Sequence, residues 1–201
     1  MDIGLFGGSF NPPHVAHLIV AEIVRDQFGL QEVWWIPNAT PPHKADEELV
    51  DAEHRLAMTE RATAANPGFR VCDVEIRRAG ISYTVDTVTS LQQEHPDTDF
   101  GLIIGSDSLD HFAEWHRPEE IARRVPLIVY KRPGVIDAVA PPRFANTVKY
   151  VAAPVMEVSG TEVRARRQAG RSIRHLVPEP VRTYIEAHGL YTSGTDTAGS
   201  A

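Results

Sequence analysis

A short apolar run, Ile3-Gly4-Leu5-Phe6, gives way to Gly7-Gly8-Ser9-Phe10-Asn11-Pro12-Pro13-His14-Val15-Ala16-His17-Leu18 and then to a segment of helical spacing. This junction constrains the chain more than any other feature. The apolar run reads as a buried first strand, Asp2 to Phe6, and the glycines as a turn into a helix. Such a turn leaves backbone N–H groups free to meet a phosphate. His14 and His17 stand three apart, on one face of the helix's first turn. Imidazoles beside an anion-binding helix N-terminus suit polyphosphate chemistry. A plain tight turn with surface histidines leaves the strand before and the helix after without a purpose. A dinucleotide-binding Gly-x-Gly-x-x-Gly is not met, because the glycines fall at 4, 7 and 8 and no acidic residue closes a second strand at the usual distance. No His-Glu-x-x-His occurs, and Cys72 is the only cysteine, so no protein-held metal site is read.

Strand and helix signals alternate along the rest of the chain. Val20, Ile23, Val24 and Phe28 have helical spacing, closed by Gly29. Glu32 to Ile36 reads as a second strand stopped by Pro37, followed by a proline-rich loop to Leu49. Asp51 can cap a helix that runs to Asn66-Pro67-Gly68. Phe69 to Cys72 reads as a third strand, Thr84 to Gln93 as a helix with Val85, Val88 and Leu91 inward. Phe100 to Ile104 is almost continuously apolar, the pattern of a parallel strand covered on both faces. Leu127 to Tyr130 and Lys149 to Ala152 complete six strands. This alternation predicts an α/β fold with a single doubly wound parallel sheet and helices on both faces. In such sheets ligands sit outside the carboxyl ends of the strands, where the strand order switches. Gly7 and Gly105 both follow such ends, so both motifs should face one crevice.

Composition narrows the classes. The 201 residues are 42% hydrophobic and 23% charged, enough for one domain with a sizeable core. A net charge of −7 argues against nonspecific nucleic-acid binding and requires any phosphate-binding charge to be local. No apolar run is long enough to span a membrane and no signal peptide is read, so no membrane partner is expected and a cytoplasmic enzyme is. Oligomeric state is open, a homo-oligomer included. Thr192 to Ala201 is small and polar and is expected to be a disordered tail after a domain spanning 1–191.

Four further motifs carry chemistry. Pro41-Pro42-His43-Lys44 can bring a cation over the crevice. Tyr83-Thr84-Val85-Asp86-Thr87 opens a helix, with Thr84 as a candidate N-cap, and a Thr hydroxyl with free N–H groups at a helix start also suits a carboxylate. Lys131-Arg132-Pro133-Gly134 is a basic turn after a strand. Val158-Ser159-Gly160-Thr161-Glu162-Val163-Arg164 holds a capping box in Ser159 and Glu162. That box does not account for Arg164, Arg166 and Arg167, since cations in a helix's first turns oppose the macrodipole unless an anion lies between them.

Gly-Gly-Ser-Phe-Asn-Pro-x-His-x-x-His resembles the signature of the HxGH nucleotidyltransferase superfamily, with Ala16 where the family usually has glycine. Pro-His-Lys at 42–44, Tyr-Thr-x-Asp-Thr at 83–87, the Gly105–Leu109 and Trp115 segment, and Ser159, Thr161 and Arg164 of an Ile-Ser-Ser-Thr-x-x-Arg pattern extend the likeness to the bacterial nicotinate-nucleotide adenylyltransferases. Gly160 replaces the second serine. Ser172-Ile173-Arg174 and Gly189-Leu190-Tyr191 carry it almost to the chain's end. The resemblance implies a Rossmann-like fold and transfer of the adenylyl group of ATP to nicotinate mononucleotide, with Mg²⁺ bound with ATP. It implies catalytic roles for His14, His17, Lys44 and Arg164. It implies ATP contacts from Gly7, Gly8, Ser9, Phe10, His17, Asp107 (to a ribose hydroxyl), Arg132, Ser159, Thr161 and Arg164. Nicotinate mononucleotide would be held by His43, Lys44, Tyr83, Thr84, Trp115 as a stacking platform, and His116. Transfer to phosphopantetheine is the enzymatic alternative, against which Tyr83–Thr87 and Trp115 argue; a nucleotide-binding module without turnover is the alternative outside enzymes.

Overall fold

A computed structural model describes residues 1–40, 49–134 and 139–192. Six parallel strands form one sheet: β1 (Ile3–Gly8), β2 (Glu32–Pro37), β3 (Phe69–Val71), β4 (Phe100–Gly105), β5 (Leu127–Tyr130) and β6 (Val148–Val151). Their order is β3-β2-β1-β4-β5-β6. The chain moves outward from β1 to β3, then returns to β4 on the other side of β1. This places the switch in strand order between β1 and β4, which pair from Ile3 opposite Phe100 to Phe6 opposite Ile103.

Successive side chains of a strand point to opposite faces. Leu5, Trp34, Leu102 and Ile104 therefore join one core cluster, with Val85, Val88 and Leu91 of α4 (Thr84–Glu94) and Ile121 of α6 (Pro118–Arg124). Phe6, Trp35, Ile103 and Ile128 join the other, with Val20, Ala21 and Val24 of α1 (Val15–Phe28). Covering both faces explains the near-continuous apolar runs, and each fully buried Leu, Ile or Val contributes about 1.5–3 kcal/mol relative to exposure. A third cluster joins α2 (Ala52–Thr63), α7 (Gly160–Gln168) and α8 (Glu179–Ala187) through Met58, Val163, Val181 and Ile185.

The structure corrects several expectations. β1 continues through Gly7 and Gly8, which pair with Ile36 and Pro37, so the glycines end the strand and the turn proper begins at Ser9. With no side chain to bury, they extend the ladder past the apolar run. The helix after Asp51 stops at Thr63, three residues before Asn66. Cys72 follows β3 and is only half-buried against the core. Three short helices escape a reading by periodicity because they have fewer than two full turns: α3 (Val74–Arg78), α5 (Ser106–Asp110) and α6. The expected tail beyond Thr192 lies outside the described residues, as do His43 and Lys44. Among the described residues no helix is long and apolar enough to cross a membrane.

Candidate active site

A crevice of about 1090 Å³ opens at the carboxyl ends of β1 and β4. Every predicted site residue within the described part of the chain lines it: Gly7, Gly8, Ser9, Phe10, His14 and His17 from β1 and its loop, Tyr83, Thr84, Asp107, Trp115 and His116 from the β3–β5 side, and Arg132, Ser159, Thr161 and Arg164 from the last third. A narrower recess of about 380 Å³ is lined by His14, Ala16, His17, Asp107, Arg132 and Ser159 of the same wall, together with Met156 and Pro133.

The two imidazoles are the most organised pair in the crevice. His14 is the residue before α1, in extended conformation, and His17 is the third residue of that helix. Their rings stack at 3.6 Å between centroids and 21° between planes. The His14 amide donates to His17 Nδ1 at 3.1 Å, which fixes the second ring. Phe6 and Phe10 present edges to His17 at 5.9 and 5.3 Å. Burial, then the charge of Arg132, lowers the His14 pKa from 6.5 to about 4. His17 is also held well below its ordinary value, by burial first and then by His14 and Arg132. Both rings are therefore neutral at pH 7 in the ligand-free protein.

Two arginines supply the local positive charge that the net −7 demanded. Arg132 Nη1 pairs with Asp107 Oδ2 at 3.3 Å, and the Arg132 amide donates to Ser106 Oγ at 2.9 Å. Gly105 makes this approach possible: a Cβ there would meet Asp107 Oδ1 at 2.3 Å and Arg132 Cδ at 2.7 Å. Arg164 donates to the Asn11 carbonyl at 2.9 Å and through Nη2 to Thr161 Oγ1 at 3.4 Å, tying α7 to the loop after β1. Ser159 caps α7 by accepting from the Glu162 amide at 3.1 Å.

The three arginines of α7 do not all lie in its first turns, as the sequence had suggested. α7 has nine residues, so Arg166 and Arg167 fall in its last turn, where cations complement the dipole. Arg166 Nε also pairs with Glu162 Oε1 at 2.7 Å. Arg164 is the one of the three that lines the crevice. Gly160 has its own reason: a Cβ there would stand 2.9 Å from the Asn11 carbonyl oxygen.

At the other end, Tyr83 rather than Thr84 is the residue before α4, and the amides of Asp86 and Thr87 return to its carbonyl. The amides of Thr84 and Val85 have no acceptor within the helix. Trp115 is half-buried and has both expected faces: it packs on Phe112 at 5.3 Å and it lines the crevice. The His116 ring lies 4.4 Å from that of Tyr83. Beneath them Thr87 Oγ1 donates to Glu75 Oε1 at 2.6 Å, and burial raises the Glu75 pKa.

Glu75 lines the crevice without having been singled out from the sequence, Asn11 lines it and was read only as part of the loop motif, and Arg55 is buried behind the crevice wall. Asn11 accepts from Tyr191 Oη at 2.7 Å, which anchors the loop after β1 to the segment following α8. Arg55 had a signal: with Met58, Thr59 and Ala62 it shares the buried face of α2, where a lone arginine asks for acceptors.

The chain belongs to the cytidylyltransferase-like family, whose model matches residues 5–166. Its relatives are more particular. It is 74% identical over 191 residues to the protein named probable nicotinate-nucleotide adenylyltransferase of Salinibacter ruber, covering 95% of this chain and 98% of that one. It is 40% identical over 192 residues to the nicotinate-nucleotide adenylyltransferase of Bacillus subtilis, with 95% and 98% covered. The solved structure of the Plasmodium falciparum nicotinic acid mononucleotide adenylyltransferase complexed with NaAD superposes with a TM-score of 0.80 over 94% of this chain and 97% of that one. At 21% identity that likeness is one of fold.

Proposed function

We propose that this protein joins nicotinate mononucleotide to ATP, forming nicotinate adenine dinucleotide and pyrophosphate in NAD biosynthesis. The observation that carries the reading is the convergence of the phosphate loop, the paired imidazoles, two arginines, the α4 N-terminus and Trp115 on one crevice at the sheet's switch point. The relatives' names agree with it.

The mononucleotide's phosphate oxygen attacks the α-phosphorus of ATP in line. The bond from that phosphorus to the bridging oxygen breaks, and its electron pair leaves with pyrophosphate. The nucleophile is anionic near pH 7, so no general base is required. Catalysis then consists of positioning and of stabilising charge on the phosphates. His14 and His17 donate N–H bonds to the α- and β-phosphates, and Arg132 and Arg164 neutralise the rest, joined by Lys44 in the sequence reading. A bound polyphosphate raises the imidazole pKa values again, so binding takes up protons. The amides of Thr84 and Val85 receive the nicotinate carboxylate, and the indole of Trp115 stacks on the electron-poor ring.

The charged and imidazole groups lining the crevice include His14, His17, Arg132, Arg164 and the carboxylates of Glu75, Asp107 and Glu114; Asp107 is paired with Arg132, Glu75 accepts from Thr87, and the described residues hold no cluster of three or more metal-ligating side chains. Mg²⁺ bound with ATP would supply charge neutralisation at the phosphates, with the protein contributing Arg132 and Arg164 rather than a dedicated ligand cage. Both substrates are small intracellular metabolites, and we read the enzyme as cytoplasmic.

The test is pyrophosphate release with ATP and Mg²⁺, offering nicotinate mononucleotide, nicotinamide mononucleotide and phosphopantetheine separately. Rapid release with the first is expected. Release with phosphopantetheine alone keeps the chemistry and overturns the substrate. ATP binding without release from any of the three identifies a binding module.

A further inference from the structure

Arg55 lies on α2, outside the crevice, with 1% of its surface exposed. Its guanidinium donates through Nε to the Val50 carbonyl at 3.0 Å and through Nη2 to the Ala39 carbonyl at 2.8 Å. Nη1 reaches the Ser9 carbonyl at 3.1 Å, the Asn38 carbonyl at 2.6 Å and Asn38 Oδ1 at 3.2 Å. No carboxylate is among these acceptors. Burial accordingly lowers the Arg55 pKa, partly offset by Tyr191 and Asp51.

A cation buried among carbonyls is an expensive way to fill space, and an apolar side chain of equal volume usually does as well for stability. The placement of the acceptors shows what the charge achieves. Ser9 belongs to the phosphate loop, and Asn38 and Ala39 follow β2. The Asn38 amide donates to the Gly8 carbonyl at 3.1 Å. The Ala39 amide donates to Ser82 Oγ at 3.1 Å, and the Ser82 amide donates to the Thr40 carbonyl at 3.0 Å. Ser82 directly precedes Tyr83 and Thr84. One guanidinium thus links the loop facing the polyphosphate to the segment facing the mononucleotide's ring.

We propose that Arg55 is a positioning residue that sets the distance between these two half-sites. The proposal rests on the function given above. Both reactants must be brought within about 3–3.5 Å in line, and an ångström of misplacement from a remote change can cost about a hundredfold. Each half-site keeps its own contacts without Arg55, so either substrate still binds. What is lost is their mutual alignment. Lysine retains the charge but offers a single point of donation on a flexible stem, which cannot serve carbonyls in three segments together.

The experiment compares wild type and Arg55→Lys, well below the unfolding temperature of each, with rates normalised to folded protein. The expected result is a kcat lowered about tenfold or more, with the KM for ATP and for nicotinate mononucleotide each within about threefold of wild type. Amide hydrogen exchange at Asn38 and Ser82 should accelerate, a readout independent of turnover. A kcat unchanged per folded molecule, or a loss confined to one substrate's KM, overturns the proposal. If Arg55→Lys does not fold, Ser82→Ala removes the hydroxyl that accepts from the Ala39 amide, keeps the backbone bond from Ser82 to Thr40, and so weakens the same link at its far end; it should lower kcat in the same pattern, and wild-type kcat in that variant overturns the proposal. A wild-type protein that releases no pyrophosphate from ATP and nicotinate mononucleotide instead refutes the functional reading, so the two failures are separable.

Discussion

Acidification should weaken this protein through His14, by an amount the structure sets. His14 is 4% exposed and its pKa falls from 6.5 to about 4 on folding. Between those values the unfolded chain binds a proton that the native state refuses. Stability therefore rises with pH across this window, is fully present above about pH 6.5 and is lost as pH falls toward 4. Integrating the linkage from pH 8 to pH 5 gives a loss of about 2 kcal/mol, approaching about 3 kcal/mol below pH 4. His17 adds to the loss with the same sign. Glu75 opposes it, because a raised carboxyl pKa favours the native state as pH falls. Comparing wild type with His14→Gln removes the terms common to both. Urea unfolding at pH 8, 7, 6 and 5 should show wild type losing about 2 kcal/mol more than the variant. Parallel pH profiles would refute the claim that His14 is held neutral. Calorimetry in buffers of different ionisation enthalpy supplies a second check: ATP binding near pH 6.5 should take up protons, and uptake should shrink in His14→Gln.

Other perturbations probe single contacts. His17→Ala should lower kcat by at least about a hundredfold, the usual cost of one preorganised phosphate donor, and near-normal turnover would remove His17 from the chemistry. Trp115→Ala should raise the KM for nicotinate mononucleotide about five- to tenfold with kcat less affected, as the loss of one aromatic stack predicts; an unchanged KM would leave Trp115 as core alone. Gly160→Ala should displace the Asn11 carbonyl, lower thermal stability by about 1–2 kcal/mol and weaken ATP binding, checked by scanning calorimetry and titration.

The sequence by itself determined the central strands, because a strand covered on both faces must be apolar almost throughout, as Phe100–Ile104 is. It also determined that a glycine-containing loop leads into α1 with His14 and His17 close together at its start, since helical spacing is local. Tertiary structure decided what depends on groups distant along the chain. The order β3-β2-β1-β4-β5-β6 brings the ends of β1 and β4 together, and only that adjacency makes one crevice of motifs about a hundred residues apart. α7 ends just before Gly170, in the left-handed region, so Arg166 and Arg167 fall in its last turn, while Arg164 alone of the three lines the crevice. The charge state of the histidines depended on burial and on Arg132, which no spacing reveals. Arg55 stayed hidden for the same reason: its acceptors are backbone carbonyls at 9, 38, 39 and 50, and a carbonyl carries no signature in sequence until the fold gathers it.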